Sequence, residues 1–522
     1  MNESDANRFY VTTPIYYVNG TPHIGHAYTT ILADVLTRYH RLFGKDTMFL
    51  TGTDEHGLKV QEAASEAGME PKEYCDGMVG RFMELWEQLG IRYDRFMRTT
   101  DADHIDYVQK VLQDLYDKGE IYSAPYQGWY CVPDERFWTE KDIVEGNCPD
   151  CGRPVIEIEE ENYFFKMGSR REWLIEHIEA NPGFIFPESR RNEVLGFLHQ
   201  GLGDLCISRP KSRLAWGIQL PFDPEYVTYV WFDALLNYVT ATLEQKDPQP
   251  GEGWWPADLH LIGKDIVTTH CVYWPTMLEA AGLPLPDRIA AHGWWLVDEE
   301  KMSKSLGNVV KPLELAGRYG VDPFRYFLMR DMTVGLDRSF SEVDMIQRYN
   351  SDLANDLGNA VNRVTKMIGR YSDGVLGASG SAAGEEEKSI EALAKKTTAE
   401  TRTLVESLAI NQVIEEILGL VRATNRYLEL RAPWQLARDE SQAELLETTL
   451  YTSAEALRIA GVLLSPVMPT KAEELMQQLG TTMDIEDGYD ALTSWGLLEP
   501  GTPVPGGDGI FPRIDLPEDL KE

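Results

Sequence analysis

The first fifty residues alternate between strand-like and helix-like hydrophobic patterns, and this alternation restricts the fold more than any other feature of the chain. An apolar run at residues 9–15 precedes a short turn, after which Ile31, Val35 and Tyr39 recur at helical spacing. Gly44 ends the helix, and a second apolar run follows at residues 46–53. Strand, turn, helix and strand in this order predict a βαβ unit of a doubly wound parallel sheet, which binds ligands at the carboxyl edge of its strands.

The turn of this unit spans residues 23–26 and reads HIGH. Gly25 has no side chain to obstruct a flat base, and the N-terminus of the following helix favours phosphate. His23 and His26 share a face, so both imidazoles can donate hydrogen bonds to phosphate oxygens as charge moves toward a leaving pyrophosphate. A pair of hydrogen-bonded surface histidines explains the isolated motif equally well, because short motifs recur by chance.

A second motif, KMSKS at residues 301–305, lies in a loop after a β-like run at residues 288–297. Two lysines flanking a serine, with Gly307 as a hinge, suit a mobile clamp on a triphosphate. A solvated basic loop is the alternative, and the net charge of −35 for the chain makes it the weaker one. The two motifs together predict one nucleoside triphosphate site. Its predicted catalytic residues are His23, His26, Lys301 and Lys304.

Two further stretches place aromatic side chains on one helical face each. One carries Ile266, His270 and Trp274 at intervals of four residues, and the other spans residues 231–238. Ordinary amphipathic core helices show the same spacing. An imidazole within an aromatic stripe favours a binding pocket, and a thioether packs well against aromatic rings. Asp54 follows a predicted strand and can pair with an α-ammonium group.

Three of the six cysteines cluster in the sequence, at Cys131, Cys148 and Cys151, and Asp134 completes a set of four candidate metal ligands. The sequence CPDC at residues 148–151 is typical of a knuckle that presents two thiolates to zinc. We predict a zinc site built from these four residues. A knuckle-shaped turn of reduced thiols is the alternative.

Hydrophobic periodicity divides the chain into four segments. Residues 1–118 and 218–344 alternate as the two halves of a doubly wound domain do, and residues 119–217 interrupt them with strand-like runs. Residues 345–522 change to helical periodicity, followed by a Pro/Gly-rich tail. The predicted fold class is an α/β Rossmann-like doubly wound domain with a β-rich insertion that carries the knuckle, followed by an all-α helical bundle.

Composition places the chain among globular proteins. Its 522 residues are 43% hydrophobic, and the six cysteines lack the pattern of a secreted disulfide framework. No apolar run approaches the ~18 residues of a membrane span, so we expect a cytoplasmic protein with no membrane partner. The acidic balance restricts nucleic-acid binding to a local basic patch. Candidates for this patch are Arg209, Lys211, Arg213, Arg348, Arg363, Lys366 and Arg370.

The two motifs resemble the HIGH and KMSKS signatures of class I aminoacyl-tRNA synthetases, and further blocks resemble the methionyl-tRNA synthetase family over nearly the whole chain. The resemblance implies activation of L-methionine with ATP and Mg²⁺, followed by charging of initiator and elongator tRNA(Met). It also implies a single-knuckle enzyme without an appended C-terminal domain, which we expect to be a monomer. The blocks are TTPIYYVNG at 12–20, TGTDEHG at 51–57, YVWFDA at 229–234, IGKDIV at 262–267 and AHGW at 291–294.

The resemblance assigns residues to each small ligand. Some relatives carry Ala or Leu where Pro14 and Ile15 stand here, and Pro where Leu235 stands. In one-zinc relatives a cysteine takes the place of Asp134. The implied ATP-binding residues are His23, Gly25, His26, Lys264, His292, Lys301, Met302, Ser303, Lys304 and Ser305. The implied methionine-binding residues are Pro14, Ile15, Tyr17, Asp54, Trp231, Ala234, Leu235, Tyr238, Ile266, His270 and Trp274.

The helical segment carries the residues that the resemblance assigns to the tRNA anticodon. Asn359 and Arg363 lie four residues apart and can read base edges, while Trp434 can stack on a splayed base. A helix cap and a core tryptophan are the alternatives on the pattern alone. The family match implies an anticodon-binding helical bundle that recognises CAU.

Two other classes of function match parts of the sequence. A small-molecule nucleotidyltransferase would use the first motif without the helical bundle or Trp434. A noncatalytic RNA-binding paralogue would keep the helical bundle without forming an adenylate. The presence of both phosphate motifs together with the aromatic pocket favours the ligase.

Overall fold

The structure is a computed structural model that describes residues 7–18, 20–131, 136–138, 140, 142–149, 151–243, 253–297, 300–301, 310–378, 380 and 382–520. Within these ranges, no helix combines the length and the apolar character that crossing a membrane requires.

A six-stranded parallel sheet forms the centre of the molecule and confirms the predicted doubly wound architecture. The first strand, Arg8–Tyr17, lies in the middle, and the chain extends the sheet in opposite directions from it. The crevice between the first strand and Leu259–Gly263 is therefore a topological switch point, where such sheets bind ligands. In spatial order the strands are Arg95–Arg98, Asp46–Asp54, Arg8–Tyr17, Leu259–Gly263, Ile289–His292 and Ile185–Phe186.

Helices cover both faces of this sheet, because strands buried on both sides need apolar cover. The first helix, Ile24–Leu42, is buried over most of its length against the sheet and the C-terminal helices. Gly44, with φ of 85°, follows it and lets the chain turn back into the second strand. The other helices of this half are Leu58–Glu66, Pro71–Gln88, Ala102–Asp117, Arg171–Ala180, Glu188–Gln200, Val230–Thr240, Trp274–Ala281, Pro312–Tyr319 and Val321–Asp331.

The predicted β-rich insertion is present as a four-stranded sheet. Its central pair, Ile121–Cys131 and Ile156–Phe165, is antiparallel over ten residue pairs from Ile121–Phe165 to Tyr130–Ile156. Arg136–Trp138 and Leu205–Cys206 are the outer strands. The segment 119–217 also contributes Ile185–Phe186 to the central parallel sheet, so it is not wholly separate from the doubly wound domain. The four segment boundaries remain a prediction.

Two small three-stranded sheets flank the crevice. Gln219–Leu220, Asp223–Thr228 and Ser208–Pro210 form one of them. The other consists of Glu300–Lys301, Trp295–Val297 and Arg338–Ser339, with Leu296 opposite Lys301. The second motif therefore begins on a strand that is anchored to the central domain.

The C-terminal part is helical, as the periodicity predicts. Five apolar residues at helical spacing form a buried stripe: Leu353, Leu357, Val361, Val364 and Ile368. The Pro/Gly-rich tail returns to the bundle, where the Tyr349 hydroxyl donates to the Pro512 carbonyl (2.9 Å). The helices are Glu342–Arg348, Tyr349–Gly358 (a π-helical stretch), Asn359–Tyr371, Glu385–Glu406, Ile410–Arg431, Pro433–Leu436, Ala443–Leu464, Pro469–Gln478 and Tyr489–Leu492.

One buried arginine joins the two halves of the molecule. Arg325 Nη2 donates to Asp34 Oδ2 (2.6 Å), and both side chains are inaccessible to solvent. Asp34 lies on the first helix, whereas Arg325 also donates to the carbonyls of Leu89, Pro466 and Val467. The guanidinium has five N–H donors, and its four acceptors come from three parts of the chain. Arg325 therefore holds the helical bundle against the first helix.

We expect Arg325→Met to lower the free energy of unfolding by ~3–5 kcal/mol, because the substitution leaves the Asp34 carboxylate buried without its main counter-ion. The matched control is Arg338→Met, which removes an exposed partner of Asp331 and should cost ~0–1 kcal/mol. Urea unfolding followed by circular dichroism measures both. Equal losses in the two variants would contradict the role of the buried pair.

Candidate functional site

A cavity of about 980 Å³ opens at the carboxyl ends of the central strands. Asp54, Gly263 and His292 are the last residues of three of these strands, and all three line it. The first motif and the aromatic stripes meet in this one space. The predicted residues that line it are Pro14, Ile15, Tyr17, His23, Gly25, His26, Asp54, Trp231, Ala234, Leu235, Tyr238, Lys264, Ile266, His270 and His292.

The two motif histidines cap the first helix with their own side chains. His23 Nδ1 accepts from the Gly25 backbone N–H (3.0 Å), and His26 Nδ1 accepts from the His23 backbone N–H (3.2 Å). Their rings stack with centroids 3.9 Å apart at 21°. Since each Nδ1 is an acceptor, each neutral ring carries its proton on Nε2. The arrangement thus supplies two N–H donors at a helix N-terminus, which favours anionic phosphate.

Gly25 is required by the histidine cap. A Cβ at this position would lie 2.9 Å from Cε1 of His23, which is closer than side chains tolerate. The sequence predicts that Gly25 makes room for a flat base, whereas the observed neighbour is the imidazole that caps the helix. The glycine therefore allows the first histidine to fold back over the helix N-terminus.

His292 is held beside the first helix by two hydrogen bonds. Its Nδ1 donates to the Gly293 carbonyl (2.7 Å), and its Nε2 lies 2.7 Å from Oγ1 of Thr29. Burial lowers the pKa of His292, so the ring is neutral and Nε2 accepts from the Thr29 hydroxyl. Gly293 is needed because a Cβ there would lie 2.1 Å from the Leu336 carbonyl oxygen.

Lys264, a predicted ATP contact, is ion-paired in this structure. Its Nζ lies 2.6 Å from Oδ2 of Asp337 and 4.0 Å from the ring centroid of Trp294. Asp337 also accepts from the Trp294 backbone N–H (2.9 Å). Asp337 precedes the strand Arg338–Ser339, which pairs with the strand next to Lys301. Asp337 therefore connects Lys264 with the base of the second motif.

The second motif is only partly within the described residues. Lys301 is described in its backbone alone, as the last residue of Glu300–Lys301. Met302, Ser303, Lys304 and Ser305 lie outside the described residues. Their roles remain predictions.

The aromatic end of the cavity is built around a fixed hydrogen-bond relay. His270 Nδ1 donates to the Ile266 carbonyl (3.0 Å), so its Nε2 accepts from the Tyr238 hydroxyl (2.8 Å). Burial lowers the pKa of His270 to about 4, which keeps the ring neutral at physiological pH. The polar hydrogen of Tyr238 is thus satisfied inside the wall. Tyr17 and Trp231 meet edge to face at 6.3 Å on the opposite side.

One residue that the resemblance assigns to the methionine pocket, Trp274, does not line the cavity. Trp274 is fully buried behind Tyr238, with ring centroids 6.0 Å apart at 61°, and it lies outside the cavity lining.

The cavity is also lined by residues that the sequence patterns do not predict. Thr29, Lys59, Arg190, Glu193, Asp265, Tyr273 and Trp294 line it. Two of these, Asp265 and Trp294, lie within the family-like blocks IGKDIV and AHGW, so the resemblance could have identified them.

The three cysteines of the knuckle converge. Their sulfur atoms all lie within 4.8 Å of one another, and Cys131 Sγ is 3.5 Å from Cys151 Sγ. The Gly152 backbone N–H donates to the Cys148 carbonyl (2.8 Å), which closes the knuckle turn. Three thiols at this spacing match the donor set of a tetrahedral zinc site. Asp134, the predicted fourth ligand, lies outside the described residues, and Pro149 and Cys151 also line the main cavity.

The predicted anticodon residues lie on the helical bundle. Asn359 is exposed, and Arg363 Nη2 donates to Glu429 Oε1 (2.6 Å). Ala432, with φ of 45°, turns the chain sharply into the short helix Pro433–Leu436, which carries the partly exposed Trp434. The assignment of these three residues to an anticodon remains a prediction.

The prediction that Arg209 belongs to a basic surface patch is wrong. This side chain is only 3% exposed and stacks over the rings of Tyr130 and Tyr229, at 5.3 and 4.7 Å. Arg213 covers the Tyr130 ring and pairs with Glu160 (2.9 Å). Aromatic partners distant in the sequence therefore draw Arg209 inside. Lys211, Lys366 and Arg370 are exposed.

We expect His26→Asn to separate the structural role of the ring from its chemical role. The Asn amide oxygen can accept from the His23 backbone N–H as Nδ1 does, so the melting temperature should change little. Loss of the Nε2–H donor should lower the rate of ATP-dependent activation by about 10²- to 10³-fold. His26→Ala, which loses both functions, is the matched comparison. A parallel fall of stability and rate in the Asn variant would refute the separation.

Comparison with known proteins identifies two family regions. The model described as tRNA synthetases class I (M) matches residues 9–156 and 153–365. The model described as anticodon binding domain of methionyl tRNA ligase matches residues 377–521. Similar proteins include methionine–tRNA ligases of Caldanaerobacter subterraneus subsp. tengcongensis (49% identity over 98% of this chain and 80% of that protein) and Bacillus subtilis (43%, 99% and 79%).

Solved structures agree with these sequence matches. Mycobacterium tuberculosis methionyl-tRNA synthetase in complex with methionyl-adenylate has a TM-score of 0.92 and 41% identity, covering 97% of this chain and 100% of that chain. The free form of the same enzyme has a TM-score of 0.86 and 38% identity, covering 98% and 99%. Together with the two family regions, these similarities show that the chain belongs to the methionyl-tRNA synthetase family of class I aminoacyl-tRNA synthetases.

Proposed function

We propose that this protein is a methionine–tRNA ligase. It activates L-methionine with ATP to methionyl-adenylate and transfers the methionyl group to the 3′ end of tRNA(Met), initiator and elongator. The observation that carries the proposal is a single cavity in which the histidine-capped helix N-terminus faces the aromatic pocket around Tyr238 and His270. The reaction itself is inferred from the family to which the chain belongs.

The activation step follows from this arrangement. The methionine carboxylate attacks the α-phosphate of ATP, and pyrophosphate leaves. The Nε2–H groups of His23 and His26 donate to phosphate oxygens as charge shifts toward the leaving group. In this proposal Lys301 and Lys304 add positive charge to the ATP site, and Gly25, Lys264, His292, Met302, Ser303 and Ser305 complete it. Mg²⁺ bound with ATP neutralises part of the phosphate charge.

The aromatic end of the cavity receives the amino acid. Asp54, buried at a strand end, pairs with the α-ammonium group of methionine. Tyr238 and His270 have already satisfied each other's polar atoms, so they offer the thioether a wall without a competing donor. Pro14, Ile15, Tyr17, Trp231, Ala234, Leu235 and Ile266 line the rest of the proposed site, and Trp274 supports it from behind.

The knuckle and the bundle complete the proposal. Cys131, Cys148 and Cys151 hold zinc, with Asp134 as the fourth ligand, and Asn359, Arg363 and Trp434 read the CAU anticodon. Residues 1–118 and 218–344 form the catalytic domain, 119–217 the knuckle insertion, and 345–522 the anticodon-binding part. We also propose that the protein is a monomer that acts in the cytoplasm, where translation takes place.

ATP–pyrophosphate exchange measured with each amino acid separately, without tRNA, tests the central claim. We expect exchange with methionine alone. Exchange with a different amino acid would keep the chemistry and overturn the pocket assignment. Absence of exchange with all of them would favour the noncatalytic RNA-binding alternative, and nucleotidyl transfer to a small molecule other than an amino acid would favour the nucleotidyltransferase.

Trp434→Ala should raise the KM for tRNA about 10- to 100-fold and leave methionine-dependent exchange unchanged, because a stacked base contributes ~1–3 kcal/mol. Trp173→Ala, at a partly exposed tryptophan outside the main cavity, is the matched control and should alter neither value. Equal damage to aminoacylation and to exchange by Trp434→Ala would refute the anticodon assignment.

Purified protein should contain close to one equivalent of zinc, as measured by mass spectrometry of the metal content. Cys148→Ser should lose most of this zinc, because three thiols and one carboxylate leave no spare ligand. Cys206→Ser removes a buried cysteine outside the cluster and should retain the metal. Wild-type protein with far less than one equivalent would exclude the zinc site.

A further inference from the structure

A fully buried histidine outside the predicted site contacts several elements of the amino-acid pocket at once. His260 lies on the strand Leu259–Gly263 and has no exposed surface. Its Nδ1 is 2.7 Å from Oγ1 of Thr12, and Trp274 Nε1 is 3.2 Å from its Nε2. Its ring also packs on the Tyr238 ring, with centroids 4.4 Å apart. These contacts join two neighbouring strands, which carry Thr12 and His260, to the two helices that carry Trp274 and Tyr238.

The tautomer of His260 follows from its partners. An indole nitrogen only donates, so Nε2 of His260 must accept from Trp274 and carries no proton. The proton of the neutral ring is therefore on Nδ1 and is donated to the Thr12 hydroxyl oxygen. Burial lowers the pKa of His260 well below its usual value, which agrees with a ring that stays neutral.

The ring fixes the relative placement of two pocket aromatics. Trp274 and Tyr238 come from different helices, Trp274–Ala281 and Val230–Thr240, and they meet at 6.0 Å. His260 binds the first by a hydrogen bond and supports the second by ring contact. Tyr238 in turn donates to His270 on the cavity wall (2.8 Å). A displacement of His260 would therefore reach the wall through Tyr238.

We propose that His260 is a positioning residue for amino-acid specificity, which acts by accepting the Trp274 indole N–H and bracing Tyr238 against the thioether pocket. It does not touch the substrate. The inference rests on the proposed function, since it assigns the Tyr238 and His270 wall to methionine. Its distinguishing feature is the acceptor at Nε2, because a buried indole donor without an acceptor is unfavourable, and a shift of Trp274 that relieves it would also displace Tyr238 in the cavity wall.

Two near-isosteric variants separate the two hydrogen bonds. In His260→Gln the amide oxygen lies where Nε2 was and still accepts from Trp274. In His260→Asn the amide lies where Nδ1 was, so the bond to Thr12 is kept and the Trp274 donor is left unsatisfied. We expect the Asn variant to raise the KM for methionine about 10-fold, while the KM for ATP and kcat stay close to wild type. The Gln variant should stay within about 3-fold.

A double-mutant cycle with Trp274→Phe identifies the mechanism, because phenylalanine has no N–H to satisfy. In that background the difference between the Asn and Gln variants should vanish. Methionine affinity measured by calorimetry gives a reading that does not depend on turnover. His40→Ala is the control for general loss of stability, since it leaves a cavity at a histidine that is also buried and ring-stacked but lies outside the main cavity. It should lower the melting temperature without changing either KM.

Equal KM values for the Asn and Gln variants, or a difference that persists beside Trp274→Phe, would overturn the inference. A rise of KM for methionine and ATP together would also overturn it, because that result indicates a purely structural role. Failure of the wild-type protein to exchange pyrophosphate with methionine would refute the proposed function instead, so the two failures are distinguishable.

Discussion

Two short backbone pairings, Val11 with Leu259 and Thr12 with His260, hold together the halves of the central sheet. Side chains reinforce this narrow seam, because the Tyr10 backbone N–H donates to the Asp258 carboxylate (2.7 Å) and Thr12 binds His260. Beyond Thr12 the two strands no longer pair, and the space between them becomes the cavity. The seam therefore joins the two halves of the sheet at the base of the cavity, and His260 within it contacts Tyr238 of the cavity wall.

Two buried carboxylates, Asp233 and Glu55, are compensated by nearby donors, although the chain as a whole is strongly acidic. Burial acts to raise the pKa of Asp233, but hydrogen bonds and charge from His56 and His104 (2.7 and 2.8 Å) hold it below its usual value. This pairing anchors the helix that carries Trp231 and Tyr238. Glu55, next to Asp54, is held by both donors of Arg98 in the same way. These networks hold the backbone that carries Asp54, Trp231 and Tyr238, and the three side chains themselves line the cavity.

Much of the site could be predicted from short segments of sequence, but the reasons for individual residues could not. The histidine pair at the start of the first helix follows from the strand–turn–helix pattern, whereas its role as the helix cap depends on backbone geometry. Arg209 reads as a surface charge until Tyr130 and Tyr229 are seen to enclose it. Trp274 shares a helical face with His270, yet a π-helical turn at Thr269–Tyr273 between them changes which side chains reach the cavity.

Local patterns in the chain were enough to predict the order of the elements, the two sequence motifs, the helical periodicity of the bundle and the family. These features depend on local periodicity and on residue types within a few positions of one another. Three contacts could be known only from the folded chain: the knuckle borders the main cavity, Asp337 reaches Lys264, and His260 joins Thr12 to Trp274. The physical reason is that these contacts lie between residues 14 to 248 positions apart, where sheet register and helix packing set the distances.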